Sequence, residues 1–115
     1  MASPELPGGF ARHFGGDVMF EPTTFELALW CKLLRDRGKT GAQIARALTK
    51  SEGYINNLIR VIERSSIAVL GRWRAEQLTA AAPPVCATDW LMQVCLLPHD
   101  RQDDELARRL AAAGL

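Results

Sequence analysis

The chain has 115 residues, 48% of them hydrophobic, 23% charged and 7% aromatic, with a formal net charge of +1. That length gives one domain with material for one compact core; it is too short for a two-lobed enzyme fold and too apolar for a disordered or collagenous chain. No apolar run reaches the roughly 18 to 20 residues of a bilayer span, and the start MASPELPGGF lacks a basic-then-apolar secretory plan, so a cytoplasmic chain without a membrane partner is expected.

Charge is unevenly placed. Between Lys32 and Arg74 there are ten basic residues and only three acids, Asp36, Glu52 and Glu63, while the remainder of the chain is net acidic. A basic middle flanked by acidic ends is the pattern of a polyanion-binding surface on a solubilised domain. The three cysteines, Cys31, Cys86 and Cys95, are odd in number and have no C-x-x-C spacing, so reduced, buried thiols are expected and no disulfide or metal site.

Residues 1–22 carry Pro4, Pro7, Gly8, Gly9, Gly15, Gly16 and Pro22, too many breakers for a long helix. They read as an irregular arm whose Phe10, Phe14, Val18, Met19 and Phe20 could dock on the core or on a second subunit. The helical domain is expected over 23–115. Thr23-x-x-Glu26 is a capping box opening a first helix over about residues 24 to 37, with Phe25, Ala28, Leu29 and Leu33 on its apolar face, Trp30 and Leu34 beside them, and Gly38 as its left-handed stop. Thr40-x-x-Gln43 opens a short second helix at Gly41, with Ile44, Ala45 and Leu48 as its stripe.

Ser51 is the N-cap expected for a third helix carrying Ile55, Leu58, Ile59 and Ile62 at helical spacing. A fourth helix follows Ser65-Ser66, with Ile67, Val69, Leu70, Trp73 and Leu78, and ends at Pro83-Pro84. Thr88 or Asp89 caps a fifth, with Trp90, Leu91, Val94 and Leu97, stopped by Pro98; Asp100 to Ala113 makes the last, with Leu106, Ala107 and Leu110. No segment reads as strand, so the fold class is all-α, a compact bundle of about five to six helices.

The second and third helices are joined by so short a turn that a helix-turn-helix at about 41–65 is expected, with the small Ala45 where the two helices approach. At 100° per residue, Gly53, Asn57, Arg60 and Arg64 form one stripe on the third helix facing away from Ile55, Leu58 and Ile62, with Asn56 and Glu52 flanking it. Amide and guanidinium forks on an exposed helix are the chemistry of major-groove reading, since asparagine pairs with adenine and arginine with guanine. Gly53, Asn56, Asn57 and Arg60 are therefore the candidate base contacts. Helix N-termini and nearby bases supply phosphate contacts, for which the candidates are Lys39, Thr40, Gly41, Arg46, Lys50, Ser51, Tyr54 and Arg64.

The run GKTGAQIARALTKSEGYINNLIRVIERSS resembles the helix-turn-helix core of the ParB/KorB family of bacterial partition and repressor proteins. The similar features are Thr40 and Gln43, Ile44-Ala45, Lys50-Ser51, Tyr54-Ile55, Asn57-Leu58 and Arg60-Val61, with a weaker likeness at Thr88-Asp89-Trp90-Leu91. The resemblance implies sequence-specific binding of an inverted-repeat duplex by a homodimer, in plasmid or chromosome partition or in transcriptional repression. Two departures stand out: residues 1–22 are too short for the upstream arginine-rich nucleotide-binding motif, so CTP binding and clamp sliding are not expected, and Thr49 stands where such turns carry glycine.

A dimer would be joined by the last amphipathic helix, through Leu106 and Leu110, or by the arm, unless that helix is needed for the core. The competing reading is a protein-protein adaptor reusing the same helices, with the acidic tail of Asp100, Asp103, Asp104 and Glu105 or the apolar arm as its contact surface. Catalysis has only His99 with Asp100, Asp103 and Asp104 to draw on, without a phosphate loop or nucleophile signature, so neither an enzyme nor a cofactor is expected.

Overall fold

The computed structural model describes residues 22–79 and 83–115; the N-terminal arm, with its five apolar residues, lies outside them. The described residues form six helices and no strand: α1 (Thr24–Asp36), α2 (Gly41–Leu48), α3 (Glu52–Arg64), α4 (Ile67–Leu78), α5 (Thr88–Val94) and α6 (His99–Ala112). The fold is all-α. None of the helices is long and apolar enough to cross a membrane.

Helix starts follow local chemistry. Thr23 and Thr40 each form a complete capping box, with Glu26 and Gln43 respectively, and Ser51 and Ser66 accept from the backbone N–H groups of Tyr54 and Val69. Three of the six helix ends, those of α1, α2 and α6, share one device. At Gly38, Gly38 N–H donates to the Arg35 carbonyl (3.0 Å) and Lys39 N–H to that of Leu34 (3.0 Å), the double bond of a Schellman turn, and Gly114 and Leu115 repeat it on Ala111 and Leu110. The α2–α3 turn makes the same pair of bonds, Thr49 to Arg46 (3.3 Å) and Lys50 to Ala45 (2.9 Å), which places Thr49 in the left-handed region at φ 58°, ψ 46°. A β-branched residue there is strained, because its Cβ crowds the backbone.

α3 is the central helix, packing against α1, α2 and α5, while α4 bridges α1 and α6. Ile55, Leu58, Ile59 and Val61 of α3 are buried with Ile44 and Ala45 of α2, and Phe25 of α1 meets Trp73 of α4 edge to face, ring centroids 5.0 Å apart. In α1 the buried set is Phe25, Leu27, Ala28, Cys31 and Leu34; the expected Leu29 is 44% exposed and Leu33 only half-buried. The reason is that α1 touches α2, α3 and α4, so its buried arc is wider than, and rotated from, a single stripe. Val61 likewise takes the core place expected of Ile62, which packs half-buried at its margin.

Downstream, α4 ends before its prolines, while α5 ends at Val94, the residue whose carbonyl would need the N–H that Pro98 lacks. α4 stops at Leu78, well before Pro83, and both Ile67 and Leu78 at its ends are exposed. The segment beyond is held from outside: Glu76, its side chain 3% exposed, accepts from the N–H groups of Val85 (2.9 Å) and Cys86 (3.0 Å), Arg72 bonds both Glu76 and the Pro83 carbonyl, and Arg109 of α6 donates to the Val85 carbonyl. α5 has Ala87 as its N-cap, with no side-chain capping bond from Thr88 or Asp89, and stops at Val94, leaving Leu97 outside. Pro98 then caps α6, which starts at His99.

Gln102 takes up the carbonyls left free around this turn. Fully buried in α6, it donates from Nε2 to the carbonyls of Arg64 (2.9 Å), Leu97 (2.9 Å) and Cys95 (3.4 Å), and its Oε1 accepts from Ser66 N–H (2.7 Å). One amide thus closes the end of α3, the start of α4 and the α5–α6 turn. Leu106 is buried and Leu110 packs against the core, so α6 contributes its apolar face to its own subunit.

The three cysteines are free and buried. Burial pushes the Cys31 thiol up to about 11, and burial with the neighbouring Glu76 carboxylate pushes Cys86 up to about 12.

Three outcomes follow from this packing. Replacing Thr49 with glycine should raise unfolding stability by roughly 1 kcal/mol, because relief of left-handed strain outweighs the added chain entropy, whereas Thr49→Ala should give little; urea titration reads both. Gln102→Leu leaves buried N–H and carbonyl groups unpaired and should cost about 3 kcal/mol or more, seen as a drop in the thermal midpoint. For thiols whose folded values exceed the ordinary 9.0, ionisation is confined to the unfolded chain, so stability should be level below that pH and fall as pH rises past it, and alkylation at pH 8 should require denaturant.

Candidate nucleic-acid interface

The fold sorts the basic residues of 32–74 into paired and unpaired groups. Lys32 bridges Asp36 (2.7 Å) and Glu63 (3.0 Å), and these carboxylates, Asp36 first, hold its ammonium above the usual lysine value. Arg35 donates to the Asn56 side-chain oxygen (2.7 Å), and Arg72 is bound to Glu76. Arg37, Lys39, Arg46, Arg64 and Arg74 have no ion pair among the described residues, and Lys50 lies 5.8 Å from the Tyr54 ring centroid, at the outer reach of a cation–π contact. Two of the three acids of this region are thereby engaged by Lys32, leaving Glu52 as the remaining one.

On α3 the stripe of Gly53, Asn57, Arg60 and Arg64 faces away from the core. Gly53, Arg60 and Arg64 are exposed, Asn57 is half-buried, and Arg60 Nη1 donates to Asn57 Oδ1 at 3.3 Å. Arg60 and Arg64 also lie near enough to Cys95 for their charge to draw its thiol down, although burial dominates and the net shift is upward. This places the end of the stripe beside α5.

Asn56 sits apart from these. It is about 60° around the helix from the middle of the stripe, on the side facing α1, where Glu63 meets Lys32 one further pair of turns along. Its oxygen is held by Arg35, and both press on the N-terminus of α2: a Cβ on Gly41 would come within 2.7 Å of Asn56 Oδ1 and 3.2 Å of Arg35 Nη2. Gly41, expected as a phosphate contact, is buried in this three-helix junction, where a side chain would displace the ends of Asn56 and Arg35. Arg35 is the junction residue that periodicity alone missed; it lay outside any stripe, and its only signal was its position in the last turn of α1.

Gly53 is the opposite case, since a Cβ built on it meets nothing within 4 Å. The fold therefore gives no steric reason for glycine there, on an exposed face of the central helix.

The N-terminal donors differ between the two helices. At α2 the capping box uses the N–H groups of Thr40 and Gln43. α3 has Tyr54 where a box needs a carboxylate or amide, so only Tyr54 N–H is bonded, to Ser51 Oγ (3.1 Å), and the N–H groups of Ser51, Glu52 and Gly53 have no acceptor among the described residues. The exposed Ser51, Lys50, Arg46 and Thr40, with the half-buried Lys39 and Tyr54, surround this end of α3 in sequence. Among the described residues no group of three or more His, Cys, Asp or Glu side chains could hold a metal ion.

No family model matches the chain, and neither a curated protein nor a solved structure matches it significantly.

Proposed function

We propose that the protein is a sequence-specific double-stranded DNA-binding protein in which α2 and α3 act as a helix-turn-helix and α3 enters the major groove. The observation that carries this reading is the outward stripe of Gly53, Asn57, Arg60 and Arg64, which contains no carboxylate although Glu52 flanks its start, with Lys39, Arg46 and Lys50 close in sequence and without an ion pair among the described residues. A duplex repays such a surface, because each phosphate neutralised releases a condensed counterion. Lys39, Arg46 and Lys50, with the unbonded N–H groups at the start of α3, supply the positioning contacts, and Asn57 and Arg60 the base contacts.

The likeness of residues 38–66 to the ParB/KorB helix-turn-helix supports the same reading and points to a homodimer on an inverted repeat, in partition or transcriptional repression on the bacterial nucleoid. Two half-sites about one helical turn apart are the geometry such a dimer reads. Because the apolar face of α6 is occupied within its own subunit, the dimer contact has to be sought elsewhere.

The test is duplex binding measured across a salt series. Binding should weaken steeply with salt, and Lys50→Ala or Arg46→Ala should each flatten the log–log slope by about one. Gly53→Ala separates folding from binding: it should raise helix stability by about 1 kcal/mol, since the site is open, yet weaken duplex affinity, since a methyl group would then stand against the groove. A protein that passes through heparin at low salt, with Gly53→Ala more stable and otherwise unaltered, would overturn the DNA reading in favour of the adaptor.

A further inference from the structure

α3 carries two adjacent asparagines, and each has its side-chain oxygen engaged by a different arginine. Asn56 Oδ1 accepts from Arg35 Nη2 at 2.7 Å, and Asn57 Oδ1 accepts from Arg60 Nη1 at 3.3 Å. An asparagine that reads adenine needs that oxygen for the adenine amino group and its own amide N–H for N7. Each oxygen keeps a second lone pair, but one is already engaged, so either asparagine would have to share its acceptor with an arginine to make that pairing. What the stripe presents outward is mostly donors: the remaining guanidinium N–H groups of Arg60 and the amide N–H groups of Asn57, against the one lone pair left on Asn57 Oδ1.

In the major groove only guanine offers two adjacent acceptors and no donor, through N7 and O6. Resting on the DNA reading above, we propose that the protein selects a guanine in each half-site, that Arg60 reads its N7 and O6 bidentately, and that Asn57 is a positioning residue holding the guanidinium fork rather than a reader of adenine. Arg60 is suited to this because its side chain is long, and the bond to Asn57 one turn back restricts the rotamers it would otherwise lose on binding. Gly53, two turns before Arg60 on the same face, adds no side chain to that face and is open around it.

The experiment is selection from a random duplex library with the wild type, Arg60→Ala and Asn57→Ala, followed by affinity measurements on the selected site with 7-deazaguanine in place of the conserved guanine. The wild type should enrich a motif with one invariant guanine per half-site, and removing N7 should weaken its binding about tenfold. Arg60→Ala should lose preference at that position alone and be indifferent to the 7-deaza substitution. Asn57→Ala should weaken preference at the same guanine, to a lesser degree. Loss of an adenine at a separate position in Asn57→Ala, or a uniform loss across all sequences in Arg60→Ala, overturns the guanine assignment while leaving DNA binding intact. No enrichment and no low-salt retention of any duplex overturns the reading it rests on.

Discussion

A single buried amide decides how the two halves of this protein meet. Gln102 has no access to water, and each of its polar atoms finds a backbone partner at the end of a different element: the last carbonyl of α3, the first N–H region of α4 and the turn between α5 and α6. An amide left unpaired in an apolar interior is costly, so this residue tolerates only one arrangement of those ends. The surrounding contacts reinforce it. His99 Nε2 lies 3.0 Å from the Arg64 carbonyl, and the Ser66 hydroxyl, besides capping α4, donates to Asp103 at 2.7 Å. The C-terminal helix therefore holds α3 at its far end, and α3 is the helix on which the proposed function rests.

The near end of α3 is held by charge and by glycine. Arg35 and Asn56 fill the space above Gly41, and Lys32 crosses from α1 to Glu63, so α1 grips one flank of α3 through two polar contacts while their apolar residues share the core beneath. One consequence is electrostatic. Asp36 and Glu63, two of the three acids of the basic region, are engaged by Lys32 on the α1 flank, so only Glu52 remains unpaired beside the stripe of Gly53, Asn57 and Arg60. Interhelical packing and the proposed contact surface thus lie on two flanks of one helix. A second consequence is that neighbouring residues take different duties, Asn56 in the junction and Asn57 on the outward face.

Strain is stored at one place that matters for this arrangement. Thr49 adopts the conformation that glycine takes at Gly38 and Gly114, and its turn sets the direction from α2 into α3. The two Schellman bonds at that turn, together with the burial of Ile44, Ala45 and Leu58, over-determine the backbone enough to keep a β-branched residue there.

The sequence by itself determined the elements with strong local causes: the starts of α1, α2 and α3 at Thr23, Thr40 and Ser51, the stop at Gly38, and the outward stripe of α3, because capping bonds and a 3.6-residue period act within a few residues of chain. Only the tertiary structure decided which neighbours share a duty. Leu27 rather than Leu29 is buried because α1 faces three helices, Gln102 gathers the carbonyls beyond α5, Gly41 is buried, and the Asn56 oxygen is engaged because Arg35 arrives from another helix. Periodicity reports the direction in which a side chain leaves its own helix; what meets it there depends on residues twenty or more positions away, as Arg35 does for Asn56.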